Sequence, residues 1–317
     1  MNRFLQWAST QPPRLSPSTS EPHSAPDNLT SFSPFLRLGI IAKHLDYRDP
    51  ASLYLTTRRR KRRIILHVGP TNSGKTHNAL LALSKAKTGI YAGPLRLLAH
   101  EIYDRLNKGF VTSRDQALSV PRVCNLLTGE EQRILDRDAP FSSMTVEMAN
   151  VSTQYDVAVL DEVQLMGDPE RGYAWTRVIL GLRTNELHLC GEETAVDLVK
   201  QLLANTGDHI EVHRYKRLTP LAVAKQSIKS LENVQPGDCV VAFSRSDLFR
   251  LKFAIEEKTG LRCAMAYGGL PPEVRAEQAH LFNEDGSGYD VMVASDAIGM
   301  GLNLFVLPLF FTVFPQY

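Results

Sequence analysis

From residue 64 onward the chain alternates short apolar runs with helix-length stretches. The apolar runs lie at 64–68, 89–92, 145–148, 157–160, 187–189 and 210–212, and each has the length of a buried strand. Between them, residues 78–86, 95–106, 173–182 and 194–205 have helix length and composition. Strands alternating with helices in this way form a parallel sheet covered by helices on both faces. A polar bridge at 215–237, carrying Pro220 and Pro236, interrupts the series. A second alternation follows, with strands at 240–243, 263–267 and 291–294 and helices at 247–257 and 274–282. The pattern predicts an α/β fold of two parallel-sheet lobes joined by a linker. No internal sequence repeat is present.

The first 45 residues break this pattern. They are rich in Ser and Pro, carry Arg3 and Arg14, and have no acidic residue before Glu21. Such a segment cannot bury a core and is expected to be disordered. Its acid-poor, Ser- and Arg-bearing start equally suits an organellar transit peptide, and both readings stay open. Directly before the first strand lies a basic block of Arg58, Arg59, Arg60, Lys61, Arg62 and Arg63. It can be a solvated run, a nuclear-import signal or an arm that contacts phosphates. The apolar stretch at 305–314 is too short to span a bilayer and contains Pro308, so no membrane insertion is expected.

Composition narrows the picture only slightly. With 317 residues, 43% hydrophobic and 22% charged, the chain can form two lobes with real cores. A net charge of +2 means that any polyanion-binding surface must be local. Cys124, Cys190, Cys239 and Cys263 lie far apart with no C-x-x-C pair, which reads as buried thiols in a reducing compartment.

The strongest chemical signal is a G-x-x-x-x-G-K-T loop at 69–76, between the first strand and the first helix. That context makes it a phosphate-binding loop. Gly69, Thr71, Asn72, Ser73 and Gly74 would wrap backbone N–H groups around phosphate oxygens. Lys75 would neutralise the terminal phosphates of ATP, and the Thr76 hydroxyl would take a Mg²⁺ position. The second signal is Asp161-Glu162-Val163-Gln164, placed at the end of the buried run 157–160. A strand ending there puts both carboxylates at the carboxyl edge of the sheet, where α/β folds bind ligands. Asp161 can hold Mg²⁺ and Glu162 can deprotonate an attacking water, with Gln164 beside them.

These motifs in this order resemble helicases of superfamily two. Particular phrases narrow the resemblance to the mitochondrial Suv-three type RNA helicases. They are GPTNSGKT at 69–76, GPLRLLAHE at 93–101, TGEE at 128–131, TVEM at 145–148 and DEVQ at 161–164. RGYAWTR at 171–177, HLCGE at 188–192, YKRLTP at 215–220, GDCVVAFS at 237–244 and ASDAIGMGLN at 294–303 complete the match. The resemblance implies two RecA-like lobes that close on ATP and Mg²⁺ and move along RNA. It implies an RNA-facing row of Pro94, Arg96, Thr128, Gly129 and Thr145 on the first lobe. On the second lobe, Ser244 and Arg245 would grip the RNA backbone. Ser295, Asp296, Gly299, Gly301 and Asn303 would touch RNA and the ribose side of ATP. It further implies the mitochondrial matrix and an exoribonuclease partner; the nucleus, which the basic block at 58–63 would specify, is the alternative location.

The implied organisation is a leader at 1–45, lobe one at 46–214, a linker at 215–237 and a partial lobe two at 238–304. The apolar residues 305–317 depart from the family pattern and contain no Arg or Lys. The resemblance would place cleft-crossing arginines beyond Asn303, so a C-terminally truncated, weakly hydrolysing form is the expectation. A nucleotide- and RNA-binding module that regulates the longer enzyme is the alternative.

Overall fold

The computed structural model describes residues 49–111, 120–220, 222–299, 302, 304 and 309–311. The expected leader at 1–45 and the candidate residues Gly301 and Asn303 lie outside the described residues. Chain contacts separate Met1–Leu55 from Thr56–Tyr317. In the first unit, Pro50–Tyr54 forms a 3₁₀ turn, and the Ser52 hydroxyl donates to the Asp49 carbonyl at 2.7 Å.

The second unit holds two sheets. The larger contains β1 (Arg63–Val68), β2 (Gly89–Gly93), β3 (Cys124–Leu127), β4 (Gln132–Arg133), β5 (Phe141–Thr145), β6 (Gln154–Leu160), β7 (Arg183–Gly191) and β8 (His209–Arg214). Their order is β4-β3-β5-β2-β6-β7-β1-β8, parallel throughout except where β4 runs against β3. Every residue of β2 and all but the first of β1 are buried, as expected for strands covered on both faces. The covering helices are α1 (Lys75–Lys85), α2 (Arg96–Lys108), α3 (Gly172–Gly181) and α4 (Ala195–Leu203). Leu80, Leu83, Ile102, Leu106, Phe141 and Val159 pack in one cluster between α1, α2 and the sheet.

The smaller sheet has β9 (Cys239–Val241), β10 (Cys263–Ala266), β11 (Val291–Ala294) and β12 (Leu309–Phe311), in the order β10-β11-β9-β12 and all parallel. α5 (Arg245–Thr259) and α6 (Pro272–Asn283) accompany it. The Ser244 hydroxyl caps α5 by accepting from the Asp247 amide at 3.3 Å, and Gly260 ends the helix at φ 72°. All four cysteines are free and buried.

Three features differ from the sequence pattern. The strand expected at 145–148 lies earlier, at Phe141–Thr145, and Val146–Met148 forms a 3₁₀ turn. Ser143 hides the strand from a hydropathy reading, yet it is fully buried because its hydroxyl donates to the Ala99 carbonyl at 2.6 Å. Strand β3 was unmarked because Asn125 sits in its middle. Its side chain donates to the Asp136 carbonyl at 2.7 Å and accepts from the Leu135 amide at 2.9 Å. Lastly, Leu309–Phe311, expected as part of an apolar tail, pairs in parallel with β9 and occupies its free edge.

The basic block is divided between two uses. Arg62 is buried, forks onto Asp208 at 2.7 Å, and also donates to the Leu182 carbonyl at 3.0 Å. Arg58 joins the same carboxylate at 3.0 Å, and Arg63 bridges Glu186 and Glu211 across three neighbouring strands. Arg59, Arg60 and Lys61 remain exposed.

Candidate functional site

The loop at 69–74 leaves β1 at the carboxyl edge of the larger sheet and turns into α1. The Gly69 amide donates to the Gly191 carbonyl at 3.1 Å, fixing the loop to the end of β7. A Cβ on Gly69 would lie 2.8 Å from the Tyr215 carbonyl, so no side chain fits there. Asn72 at φ 56° and Gly74 at φ 80° bend the loop through the left-handed region.

The loop has the polar groups of an anion cradle. The Ser73 hydroxyl is buried without a hydrogen-bond partner among the described residues. Lys75 is only 6% exposed, and among the described residues its Nζ makes one hydrogen bond, a long 3.4 Å contact to the Pro70 carbonyl. A buried ammonium so weakly matched, beside an orphaned hydroxyl, fits a phosphate group.

Asp161 directly follows β6 and is buried. Its carboxylate accepts from the Tyr91 hydroxyl at 3.1 Å, the Glu162 amide at 3.0 Å and the Thr76 hydroxyl at 3.3 Å. Burial and the neighbouring Glu162 push the Asp161 carboxyl up to about 6, against the hydrogen bonds that favour its ionised form. Burial and Asp161 raise the Tyr91 hydroxyl well above its usual range, so Tyr91 stays a donor. Thr76 and Asp161 are the pair able to share a divalent cation.

Glu162 stands at φ 52°, a conformation that costs a bulky residue about 1–3 kcal/mol. Gln164 Nε2 donates to the Glu162 carboxylate, and Gln164 Oε1 accepts from the Glu192 amide at 3.3 Å. The phrase at 161–164 is thereby joined to the phrase at 188–192.

The residues expected to face RNA fall on neighbouring strand ends. Pro94 and Arg96 follow β2, Thr145 ends β5, and Thr128 and Gly129 follow β3; these three strands are adjacent in the sheet. Arg96 pairs with Glu130, and Gly129 is exposed with open space around it. Thr128 and Thr145 are buried. The Thr128 hydroxyl closes the 128–131 turn, donating to the Glu131 carbonyl at 2.9 Å and accepting from its amide at 3.0 Å. It therefore shapes the loop and does not present its own hydroxyl at the surface.

On the smaller sheet, Ser244 and Ser295 both cap helical turns, and Arg245 is exposed over the Tyr267 ring at 5.3 Å. Asp296 is exposed, and its carbonyl accepts from the Gly299 amide at 2.9 Å.

Sequence reasoning missed a clasp on the phosphate-binding loop. The Tyr215 amide donates to Val68, the Leu218 amide donates to Asn72, and Asn72 Nδ2 reaches Thr219 Oγ1, each at 2.8 Å. Arg217 donates to the Thr71 hydroxyl at 3.0 Å and carbonyl at 3.1 Å. Beneath them, His67 bonds the Tyr215 hydroxyl at 2.7 Å and His188 at 2.8 Å, and burial holds His67 neutral by lowering it to about 3. The phrase at 215–220 carried the only signal of this clasp.

Comparison with known proteins agrees with this geometry. A family model described as the DEXQ-box helicase domain of Suv3 matches residues 50–215, and a helicase conserved C-terminal domain model matches 222–309. The mitochondrial ATP-dependent RNA helicase SUV3L of Oryza sativa subsp. japonica is 48% identical over 276 residues, covering 86% of this chain and 36% of that protein. The mitochondrial ATP-dependent RNA helicase SUPV3L1 of Homo sapiens is 46% identical over 274 residues, covering 86% of this chain and 33% of that protein. The chain thus spans about a third of the length of these relatives. Among solved structures, S. cerevisiae Dbp5 bound to RNA and ADP BeF3 superposes with a TM-score of 0.52 at 15% identity, covering 89% of this chain and 79% of that one. At that identity the likeness speaks for the fold alone, a RecA-like helicase fold. With more than half of its length matched by the first of these models, the chain belongs to the Suv3 DEXQ-box helicase family.

Proposed function

We propose that this chain is the motor core of an ATP-dependent RNA helicase acting in mitochondrial RNA turnover. The observation that carries the reading is the buried cradle itself, in which Lys75, the orphaned Ser73 hydroxyl and the Thr76–Asp161 pair converge on one edge of the sheet. In this reading 46–214 is lobe one, 215–237 the linker and 238–304 part of lobe two.

Lys75 and the amides of the 69–74 loop bind the ATP phosphates. A magnesium ion held by Thr76 and Asp161 would supply positive charge at the terminal phosphates. Glu162, fixed by Gln164, takes a proton from the attacking water as its oxygen bonds to the γ-phosphorus and ADP departs. Gly299 lies with Asp296 on the loop that would approach ATP from the other sheet. Pro94, Arg96 and Gly129 on lobe one, with Arg245 on the other sheet, contact the RNA backbone. The relatives' names, together with the acid-poor first 20 residues, support the mitochondrial matrix as its site of action. An RNA-degrading enzyme is the partner such a motor would feed. No helix among the described residues is long and apolar enough to cross a membrane.

The test is equilibrium binding of single-stranded RNA across a salt series. Backbone contacts release counterions, and each contributes about 0.7 to the slope of log affinity against log salt. A slope of about −3 or steeper, with little dependence on base sequence, is expected for a grip on several phosphates. Affinity that ignores salt overturns the RNA reading.

A further inference from the structure

The phrase at 171–177 has no role in the reading above, yet the structure routes it to both halves of the site. Arg171 precedes α3, and its guanidinium spans two strand-end loops. Nε and Nη2 donate to one Glu147 carboxylate oxygen at 3.0 and 2.7 Å, and Nη2 also donates to the Pro94 carbonyl at 2.8 Å. The guanidinium stacks on the Trp175 ring, 5.5 Å from its centroid. Trp175 is fully buried, and its indole N–H donates to the Asp161 carbonyl at 3.0 Å. Arg177, from the same helix, donates to the Glu147 and Ala149 carbonyls at 2.9 and 3.1 Å.

The bond to the Asp161 carbonyl has a specific consequence. That carbonyl and the Glu162 amide belong to one planar peptide unit. Trp175 holds its oxygen and the Asp161 carboxylate holds its N–H. The orientation of this plane is therefore fixed at both ends, beside a Glu162 that stands at φ 52°. At the far end of the chain of contacts, Pro94 lies two residues before Arg96, on the strand ends assigned to RNA. Arg171 keeps 43% of its side chain exposed, so a strand pressing on the Pro94 and Glu147 loops meets a group that can move.

We propose that Arg171 and Trp175 are positioning residues that couple RNA engagement at the Pro94 and Glu147 loops to the Asp161–Glu162 peptide of the nucleotide site. The inference rests on the nucleotide- and RNA-binding reading above. Packing alone requires neither an indole N–H aimed at that one carbonyl nor an arginine shared between two loops. Coupling between sites needs an element both can bias, and the twice-held peptide is that element.

The test uses the full chain and two conservative changes. Arg171→Met keeps the stem and removes the fork, and Trp175→Phe keeps most of the ring volume and removes the N–H. A fluorescent ATP analogue is titrated alone and with saturating oligouridylate, and oligouridylate is titrated alone. Coupling of this kind is typically about 5–150-fold in affinity. The expected result is at least about fivefold coupling in the parent chain. In each variant the coupling falls towards one while both single-ligand affinities stay within about threefold. A merely structural role would instead lower melting temperature and both affinities and leave the ratio intact, and that outcome overturns the proposal. A parent chain that binds both ligands without coupling also overturns it, leaving the two sites standing. A parent chain that binds neither ligand removes the underlying reading as well. Should Arg171→Met fail to fold, Trp175→Phe alone decides.

Discussion

Lys75→Ala is expected to weaken ATP binding by roughly 30-fold to several thousand-fold. Removing one partner of a buried, hydrogen-bonded charge pair costs about 2–5 kcal/mol, and each 1.4 kcal/mol is about tenfold. Among the described residues the Lys75 ammonium makes one long hydrogen bond, to the Pro70 carbonyl at 3.4 Å, and a phosphate would be its stronger partner. Glu162→Gln separates binding from chemistry. Glu162 lies outside the loop that holds the phosphates, so affinity should survive while turnover falls by about 10²- to 10⁴-fold, the usual contribution of a general base. Equilibrium titration with a fluorescent ATP analogue checks the first effect, and steady-state phosphate release checks the second. Unchanged affinity in Lys75→Ala would place the nucleotide elsewhere.

The second large effect concerns stability. The Asp208 side chain is completely buried and its carboxylate pairs with both Arg62 and Arg58. Asp208→Ala strands a buried guanidinium, which costs about 3–5 kcal/mol. For a lobe of this size that lowers the melting temperature by roughly 6–20 °C. Adding Arg62→Met to Asp208→Ala should recover much of the loss, because the penalty comes from the unpaired charge and not from an absent attraction. Thermal unfolding of the single and double variants decides the matter, and a single variant as stable as the parent chain excludes a structural role for this pair. The basic block before β1 is thus partly an internal brace. Arg59, Arg60 and Lys61 have the exposed position that a targeting signal or a phosphate-contacting arm needs, whereas the exposed Arg63 is held by Glu186 and Glu211.

The strand–loop–helix around 69–76 and the strand end at Asp161 were readable in the sequence because their physics is local. A buried strand, a loop with Gly at 69 and 74, and a helix follow one another within a few turns. The Asp161–Glu162 pair likewise ends an apolar strand. What stayed hidden depends on partners far away along the chain. Ser143 and Asn125 look like loop residues until Ala99, Leu135 and Asp136 satisfy them. The clasp of Arg217 on Thr71 joins residues 146 positions apart. Trp175 reads as an ordinary core aromatic, and nothing in its spacing says that its N–H meets the Asp161 carbonyl. Thr128, which the resemblance marks for RNA, has a second role that its spacing does not announce, since its hydroxyl closes the 128–131 turn.

The most direct measurement is ATP hydrolysis by the full chain with and without single-stranded RNA, with Glu162→Gln as the control. An RNA-activated motor hydrolyses ATP faster when RNA is added and loses that turnover in Glu162→Gln. Hydrolysis that ignores RNA, or that persists undiminished in Glu162→Gln, would contradict an RNA-coupled nucleotide site at this edge of the sheet.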